Sequence, residues 1–381
     1  MKRNLLLTPG PTQVPPQLCE VLGRPIIHHR TPQFQNFLKE AFDGLKYVLQ
    51  TQHDVYLLAA SGTGAMEASV CSFLSPGDKA ITVEGGKFGE RWTELCRAYQ
   101  VEPKVVEVPW GRAVSPKVIE KMLSEDKDIK AVYVTHCETS TGVTTDLKAL
   151  GEVVKKTNAI LVVDSVSALG VIELKMDDWN VDVVASASHK GFMLPPGVAI
   201  VAASPKAQAL MAQSKCPKYY FDLRKYKKVV EKTDTPFTPA IGIVIALTES
   251  LRLVKETGLD NLFKHYERLA KATREAAKAL GLSLLAEESC ISNVLTAINL
   301  PEGMDGGKVV KRMRDTYGIS VAGGQGDLKG KIIRIAHMGC LDEYDMLTGI
   351  SCLEKVLKEL GYKFKLGAGV AAAQTYFNEN Q

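Results

Sequence analysis

Lys190 is the most unusual residue of the sequence, because it stands in an apolar stretch. It follows "VVASASH" at 183–189 and precedes "GFMLPPGVAI" at 191–200, with no acidic residue beside it. Lysine is almost never buried without a partner. Burial disfavours the ammonium form and lowers the lysine pKa, so the amine becomes a nucleophile near neutral pH. We therefore predict a chemical role for Lys190.

A second stretch with chemical potential is Ser61-Gly62-Thr63-Gly64, between the apolar run at 54–60 and the helix-like "AMEASV". Two hydroxyls, glycines and the free N–H groups of a helix start can bind a phosphate. By itself the stretch is better explained as a turn with a serine N-cap. It is neither a P-loop nor GxGxxG, which disfavours a dinucleotide.

A third candidate is Asp164, which ends the apolar run "AILVVD". A carboxylate there is costly unless a cation meets it, although a turn cap is a common alternative. Phosphate site, carboxylate and desolvated lysine, in this order along the chain, together indicate pyridoxal 5′-phosphate. The lysine would form an imine with it, the aspartate would keep its ring nitrogen protonated, and the helix end would take its phosphate.

The elements that position these residues are predicted from continuous Val/Ile/Leu runs at 54–60, 79–86, 131–136, 159–166, 181–188 and 197–204. Such runs favour strands buried on both faces of a mainly parallel sheet, and the helical patterns between them complete a doubly wound α/β layer. Ligands bind such sheets at the carboxyl ends of the strands. A long helix ending near Gly281, strands at 294–300, 319–324 and 331–338, a helix at 307–317 and a final helix at 343–360 predict a compact α+β unit after it.

Composition excludes several classes of function. The 381 residues carry a formal net charge of +4, with 45% hydrophobic and 24% charged residues, so there is no basic patch for nucleic acid. No apolar run approaches a membrane span, and the start does not resemble a signal peptide. The eight scattered cysteines form no CxxC pair, so we expect reduced thiols in a cytoplasmic protein.

The stretch "VDVVASASHKGFMLPPGVAI" resembles the lysine signature of class V pyridoxal-phosphate aminotransferases. The resemblance covers nearly the whole chain, through "LTPGPTQVP", "ASGTGAMEA", "HCETSTGV", "VVDSVSALG", "TPFTP" and "IIRIAHMG", and is nearest to the serine–pyruvate and alanine–glyoxylate group. It implies the type I fold, with a mainly parallel seven-stranded sheet, and a homodimer with active sites at the subunit interface. The expected divisions are an N-terminal segment over the active site (1–16), a large cofactor-binding domain (17–255) and a small C-terminal domain (256–381).

The resemblance also implies roles for individual residues. Lys190 would be the Schiff-base lysine and proton carrier, and Asp164 would pair with the ring nitrogen. The remaining cofactor contacts would be Val166 beneath the ring, Phe88 stacked on its other face, Thr139 at the ring hydroxyl, Ser61, Gly62 and Thr63 at the phosphate, and Thr235 and Thr238 at the phosphate of the neighbouring subunit. For Phe88 plain core packing is the alternative.

Two further positions, Arg334 and Gly10, would bind the substrate, and His189 would be a further cofactor contact. Arg334, flanked by isoleucines in "IIRIAHMG", would clamp the substrate carboxylate with its planar guanidinium, and a surface salt bridge is the alternative. Gly10 would let the N-terminal segment lie close over the substrate. His189 stands beside the cofactor lysine where alanine–glyoxylate enzymes often have Gln, and Thr235 where some members have Tyr. These two differences weaken the substrate assignment more than the cofactor assignment.

The predicted activity is transamination between a small amino acid (alanine or serine) and a small 2-oxo acid (glyoxylate or pyruvate). Two alternatives stay open. Desulfurase or lyase chemistry uses the same fold, but a desulfurase needs a mobile cysteine, which "VAGGQGDLKGK" lacks, and a histidine where this chain has Phe88. The chain could also be a subunit of a larger redox assembly. No metal site is predicted.

Overall fold

A computed structural model describes residues 4–380 of the chain. Its strands are β1 (Leu5–Leu6), β2 (Asp54–Leu58), β3 (Lys79–Glu84), β4 (Glu102–Glu107), β5 (Ile129–Thr135), β6 (Cys137–Glu138), β7 (Val143–Thr144), β8 (Ile160–Asp164), β9 (Val183–Ala187), β10 (Ala199–Ala203), β11 (Leu295–Asn299), β12 (Ile319–Ser320), β13 (Ala322–Gly323) and β14 (Ile332–Ala336). Its α-helices are α1 (Pro16–Leu22), α2 (Pro32–Leu49), α3 (Gly62–Cys71), α4 (Lys87–Ala98), α5 (Pro116–Glu125), α6 (Leu147–Val154), α7 (Pro205–Gln213), α8 (Leu223–Val230), α9 (Ile241–Thr257), α10 (Leu259–Ala279), α11 (Gly306–Tyr317), α12 (Glu343–Glu359) and α13 (Ala368–Glu379).

The central sheet has seven strands in the order β2-β10-β9-β8-β5-β3-β4. All its neighbouring pairs are parallel except those of β10, which runs antiparallel to both β2 and β9. The predicted mainly parallel seven-stranded sheet is therefore confirmed. Because β10 is antiparallel to both β2 and β9, these two strands run in the same direction. The carboxyl ends of β2, β9, β8 and β5 therefore lie at one edge of the sheet.

Helices cover both faces of this sheet, which explains the continuous apolar runs. In β2, Val55 and Leu57 belong to one core cluster with α2 and α9, whereas Tyr56 and Leu58 belong to a second cluster with α3 and Trp92 of α4. Successive side chains of a strand point to opposite faces, so a strand with two covered faces is apolar at every position.

The edge strand β4 was missed by the sequence analysis. Its sequence, Glu102-Pro-Lys-Val-Val-Glu107, has charged ends, and none of its residues is fully buried. Unlike β2 at the other edge, β4 is an edge strand whose faces are only partly covered, and such a strand tolerates charged residues and proline. It therefore lacks the apolar run that identified the other six strands.

The C-terminal part builds a separate core around the antiparallel sheet β11-β14-β13 and the helices α10, α12 and α13. Leu5 and Leu7 of the N-terminal segment pack into this core, and β1 pairs with β12. The predicted strand at 319–324 is divided into β12 and β13. The predicted final helix is followed by another, α13, which buries only Gly369, Ala373 and Phe377 and so has a weak helical pattern.

The domain boundaries at 16/17 and 255/256 stay a prediction, and residues 1–3 of the N-terminal segment lie outside the described residues. Between residues 4 and 380, no helix is long and apolar enough to cross a membrane.

Candidate active site

Three parallel strands bring the predicted chemical groups together. Thr135, Asp164 and Ala185 lie side by side in β5, β8 and β9, at the carboxyl ends of these strands. The chain that leaves β9 turns at Ser188 and places Lys190 beside the end of β8. Lys190 is only 7% exposed. The order of the strands therefore explains why residues 26 positions apart share one site.

The lysine amine lies beneath the N-terminal segment. Lys190 Nζ donates a hydrogen bond to the carbonyl of Pro9, and Thr12 Oγ1 donates to the Lys190 carbonyl over 2.9 Å. Burial lowers the pKa of Lys190 to about 8, and the charge of Asp164 opposes this shift. The amine is thus far easier to deprotonate than an exposed lysine, as a nucleophile requires.

A small cavity opens between these strand ends. Its lining consists of Ser61, Gly62, Thr63, Met66, Phe88, Arg91, Cys137, Asp164, Val166, Ser167, His189 and Lys190. Eight of the residues predicted from the sequence are in this set. Thr139, Arg334, Gly10, Thr235 and Thr238 are not, and their positions are described below.

Asp164 is a buried carboxylate that forms no salt bridge with a described residue, although the charges of Lys190 and Arg91 act on it. Its Oδ1 accepts one hydrogen bond, from Val166 N over 2.9 Å, and no ion pair of this side chain is found among the described residues. Burial raises its pKa to about 6. A buried carboxylate at the wall of a cavity is suited to a positively charged or protonated ring nitrogen, which would lower that pKa again.

The turn from β2 into α3 has the properties of a phosphate site. Ser61 is the N-cap of α3, yet its side chain makes no capping hydrogen bond. The first-turn N–H groups of a helix have no intrahelical acceptor and favour an anion. A Cβ at Gly62 would lie 2.6 Å from Val166 Cγ2, so the glycine allows this turn and the segment after β8 to pack closely.

Phe88 lies in the first turn of α4, half-buried at the wall of the cavity. The guanidinium carbon of Arg91, three residues further along the helix, lies 4.9 Å from the centre of the Phe88 ring. Arg91 Nη1 also donates to Thr63 Oγ1 over 3.2 Å. Arg91 therefore connects Phe88 to the turn before α3, a role that the sequence analysis did not assign; its spacing from Phe88 was the available signal.

Arg334 reaches the site from the C-terminal sheet. It is in the middle of β14, 6% exposed, and its Nη1 donates to the Thr139 carbonyl over 2.7 Å while its Nε donates to the Gly323 carbonyl over 2.9 Å. Burial lowers its pKa to about 10, against the attraction of Glu138. Among the described residues no carboxylate forms a salt bridge with it, so this buried guanidinium has no anionic partner of its own.

Gly10 touches the lysine directly. Its φ is +107°, and a Cβ there would lie 2.3 to 2.4 Å from Cε, Cδ and Nζ of Lys190. Any larger residue would displace the lysine side chain or the segment that covers it. Gly10 is thus required both by its backbone conformation and by this close approach.

His189 is neutral in this environment. Its Nδ1 is buried without a hydrogen-bond partner, and burial lowers its pKa to about 4.

Thr235 and Thr238 lie between α8 and α9, outside the cavity of this chain. The Thr235 hydroxyl is buried and has no partner in the described structure, whereas Thr238 is exposed. The Thr235 carbonyl accepts a hydrogen bond from Arg30 Nη1 over 2.9 Å. The structure of one chain therefore does not bring these two threonines to the other predicted residues.

Comparison with known proteins gives the family. A family model described as Aminotransferase class-V matches residues 8–330. The chain belongs to the class V aminotransferases. It is therefore an enzyme that uses pyridoxal phosphate.

Several relatives are similar over their full length. The chain is 44% identical to a protein named soluble hydrogenase, small subunit, of a Synechococcus strain (97% of each chain). It is 38% identical to the L-aspartate–glyoxylate aminotransferase of Paracoccus denitrificans (99% and 97%) and 35% to the serine–glyoxylate aminotransferase of Arabidopsis thaliana (99% and 96%). The crystal structure of ureidoglycine–glyoxylate aminotransferase from Bacillus subtilis has a TM-score of 0.95 at 30% identity, covering 99% of each chain.

The residues of this class V enzyme fit the cofactor. One cavity is surrounded by a buried carboxylate that forms no salt bridge with a described residue, an N-cap serine whose hydroxyl is not used for capping, and a lysine with a buried amine. Each of these would be energetically unfavourable or unused in an empty core, and each matches one polar part of pyridoxal phosphate.

Proposed function

We propose that this enzyme catalyses transamination between a small amino acid, alanine or serine, and a small 2-oxo acid, glyoxylate or pyruvate. The proposal rests on the buried guanidinium of Arg334, which forms no salt bridge among residues 4–380 and lies close enough to Lys190 for its charge to act on the lysine amine. Relatives named for glyoxylate as one substrate support the acceptor.

The cofactor residues act as follows. Lys190 would hold pyridoxal phosphate and, once released by the substrate, carry a proton between the substrate α-carbon and the cofactor. Asp164 would keep the ring nitrogen protonated, and Val166 and Phe88 would enclose the ring. Bound pyridoxal phosphate supplies an electron sink for the bonds at the α-carbon.

Further cofactor contacts come from short polar side chains and from backbone N–H groups. We assign the phosphate to Ser61, Gly62 and Thr63, where the helix start provides donors. Thr139, whose carbonyl accepts a hydrogen bond from Arg334, would contact the ring hydroxyl. His189, neutral and with a buried ring nitrogen that lacks a partner, would donate or accept a hydrogen bond next to Lys190.

Arg334 would bind the substrate α-carboxylate with two parallel hydrogen bonds. A transaminase binds its amino donor and its 2-oxo acceptor in turn at one place, so one carboxylate clamp serves both half-reactions. Gly10, in contact with Lys190, would let residues 8–12 lie over the bound substrate and exclude water.

The identity of the donor depends on a second cation. A dicarboxylic donor such as aspartate, named in one relative, would need a second guanidinium at its side-chain carboxylate. Arg91 is the nearest candidate, but it is bound to Thr63 Oγ1 and lies over Phe88. Because Arg91 is engaged on the cofactor side, we favour a small donor.

We further propose a homodimer in which Thr235 and Thr238 reach the phosphate of the partner subunit. Thr238 is exposed, and the Thr235 hydroxyl is buried with no partner in the described part of this chain, as expected for groups whose ligand is elsewhere. The eight free cysteines support the expectation of a reducing compartment, the cytoplasm.

The alternatives have less support. Desulfurase chemistry is not favoured, because the 319–331 region carries no cysteine. A redox assembly is supported only by the names of two relatives, the Synechococcus protein and the soluble hydrogenase 42 kDa subunit of Anabaena cylindrica, whereas the chemical groups at the cavity fit pyridoxal phosphate.

A screen of purified protein with several donors against glyoxylate and pyruvate tests the proposal. We expect alanine or serine to give the highest kcat/KM. Aspartate or glutamate far above both would show that the small-donor assignment is wrong.

A further inference from the structure

We propose that Glu138 is a positioning residue that fixes the Phe88 wall and the Thr139–Arg334 contact in one arrangement. The inference rests on the proposed function of the site. Glu138 does not line the cavity, and the sequence analysis gave it no role. Its side chain is 5% exposed.

The carboxylate of Glu138 is saturated by protein donors on two different elements. Its Oε2 accepts from Phe88 N over 3.0 Å and from Gly89 N over 2.9 Å, at the start of α4. Its Oε1 accepts from Ser140 N over 3.0 Å and from Ser140 Oγ over 2.6 Å, in its own loop. One carboxylate thus joins the helix that presents Phe88 to the loop that contains Thr139.

The backbone before α4 packs closely against this carboxylate. A Cβ at Gly86 would lie 2.3 Å from Ser140 Oγ and 2.6 Å from Glu138 Cδ, so the backbone before α4 is pressed against it. Lys87 N donates to Ser140 Oγ over 3.1 Å, which adds a second connection between the same two elements.

The same loop also determines the position of Arg334. Thr139, next to Glu138, accepts the 2.7 Å hydrogen bond from Arg334 Nη1. The negative charge of Glu138 is the attraction that opposes the desolvation of this guanidinium. A shift of the Glu138 loop would therefore change the cofactor wall and the carboxylate clamp together, although Glu138 touches neither the cavity nor the substrate.

Glu138→Gln is the test. Glutamine keeps the shape of glutamate, but its NH₂ group must replace one of the two carboxylate oxygens. That NH₂ would then face either the Phe88 and Gly89 N–H groups or the Ser140 donors, with which it forms no hydrogen bond. Glu354→Gln is the matched control. Glu354 is 2% exposed and accepts from Gly367 N, Gly369 N and Val370 N at the start of α13, away from the cavity. Both variants lose a buried capping carboxylate, so both should unfold at lower temperature.

Only Glu138→Gln should change the site. We expect it to weaken pyridoxal-phosphate affinity and to raise KM for the amino donor, each by about tenfold or more, the effect of one lost hydrogen bond to a charged group. The visible circular dichroism of the bound cofactor should change too, whereas Glu354→Gln should keep the wild-type spectrum, affinity and KM.

The proposal is overturned if Glu138→Gln matches Glu354→Gln in all three measurements. If Glu138→Gln does not fold, Ser140→Ala replaces it, because this variant removes the hydroxyl that donates to Glu138. The same changes in cofactor affinity, KM and circular dichroism are then expected, at smaller size, and their absence would overturn the proposal. Wild-type protein that binds no cofactor or does not transaminate would instead refute the proposed function, so the two failures are distinguishable.

Discussion

Replacing Arg334 with alanine tests the carboxylate clamp. The guanidinium is buried, so its loss leaves the substrate carboxylate without a partner in a poorly solvated site. Truncating one member of a buried charge pair costs about 2–5 kcal/mol. Because about 1.4 kcal/mol is a factor of ten in rate, kcat/KM should fall roughly 30-fold to several thousand-fold. Arg334→Lys keeps the charge but loses the planar fork, and should give an intermediate loss.

The assay is the absorbance change of the bound cofactor when alanine or serine is mixed with the enzyme. Arg334 does not line the cofactor cavity, so bound pyridoxal phosphate should stay at the wild-type level. Arg274→Ala is the matched control, because Arg274 is 8% exposed and also donates to a backbone carbonyl, that of Ser292, outside the site. If Arg334→Ala transaminates as well as Arg274→Ala, the clamp is assigned to the wrong residue.

Further predictions concern the surroundings of Lys190 and the proposed dimer. Gly10→Ala should reduce cofactor affinity at least about tenfold, because the added methyl group would displace Lys190. Gly77→Ala is the control: Gly77 has φ +82° and open space around it, so this change should cost only about 1 kcal/mol of backbone strain. Equal cofactor affinity in the two variants would refute the contact between Gly10 and Lys190. With a pKa of about 8, the neutral fraction of the Lys190 amine rises from roughly one tenth at pH 7 to a plateau above pH 9. The rate at which cofactor-free protein takes up pyridoxal phosphate should follow this fraction. A rate that still rises steeply at pH 10 would contradict the prediction. Mixing Lys190→Ala and Thr238→Ala should restore about one quarter of wild-type activity, because half of the dimers are hybrids with one native site each; a monomer in light scattering would exclude this.

Elements with two covered faces or one long apolar stripe were predictable from the sequence. The continuous apolar runs of β2, β5, β8 and β9 predict a sheet that is buried on both faces. In such a sheet Asp164 and Lys190 are expected at the same edge, because both follow strands that end there. The half-exposed β4 and the weakly amphipathic α13 carry neither pattern, so they were missed.

The same distinction applies to the site. Lys190 and Asp164 were visible as charged residues in apolar surroundings, and eight predicted residues line one cavity. The role of Glu138 depends on hydrogen bonds to backbone groups 49 and 50 positions away, which no local pattern reveals. For Arg91, the spacing from Phe88 indicates the ring contact, but the hydrogen bond to Thr63, 28 positions away, has no local signal. The role proposed for Thr235 and Thr238 requires a second subunit, so it stays a prediction.

The central claim, that Lys190 carries pyridoxal phosphate in a transaminase, is tested most directly by borohydride reduction of the purified protein followed by peptide mapping. We predict a yellow protein in which reduction fixes the cofactor to the single peptide that contains Lys190, and Lys190→Ala should carry no covalent label. A colourless protein that added cofactor does not change, or a label on a different lysine, would contradict it.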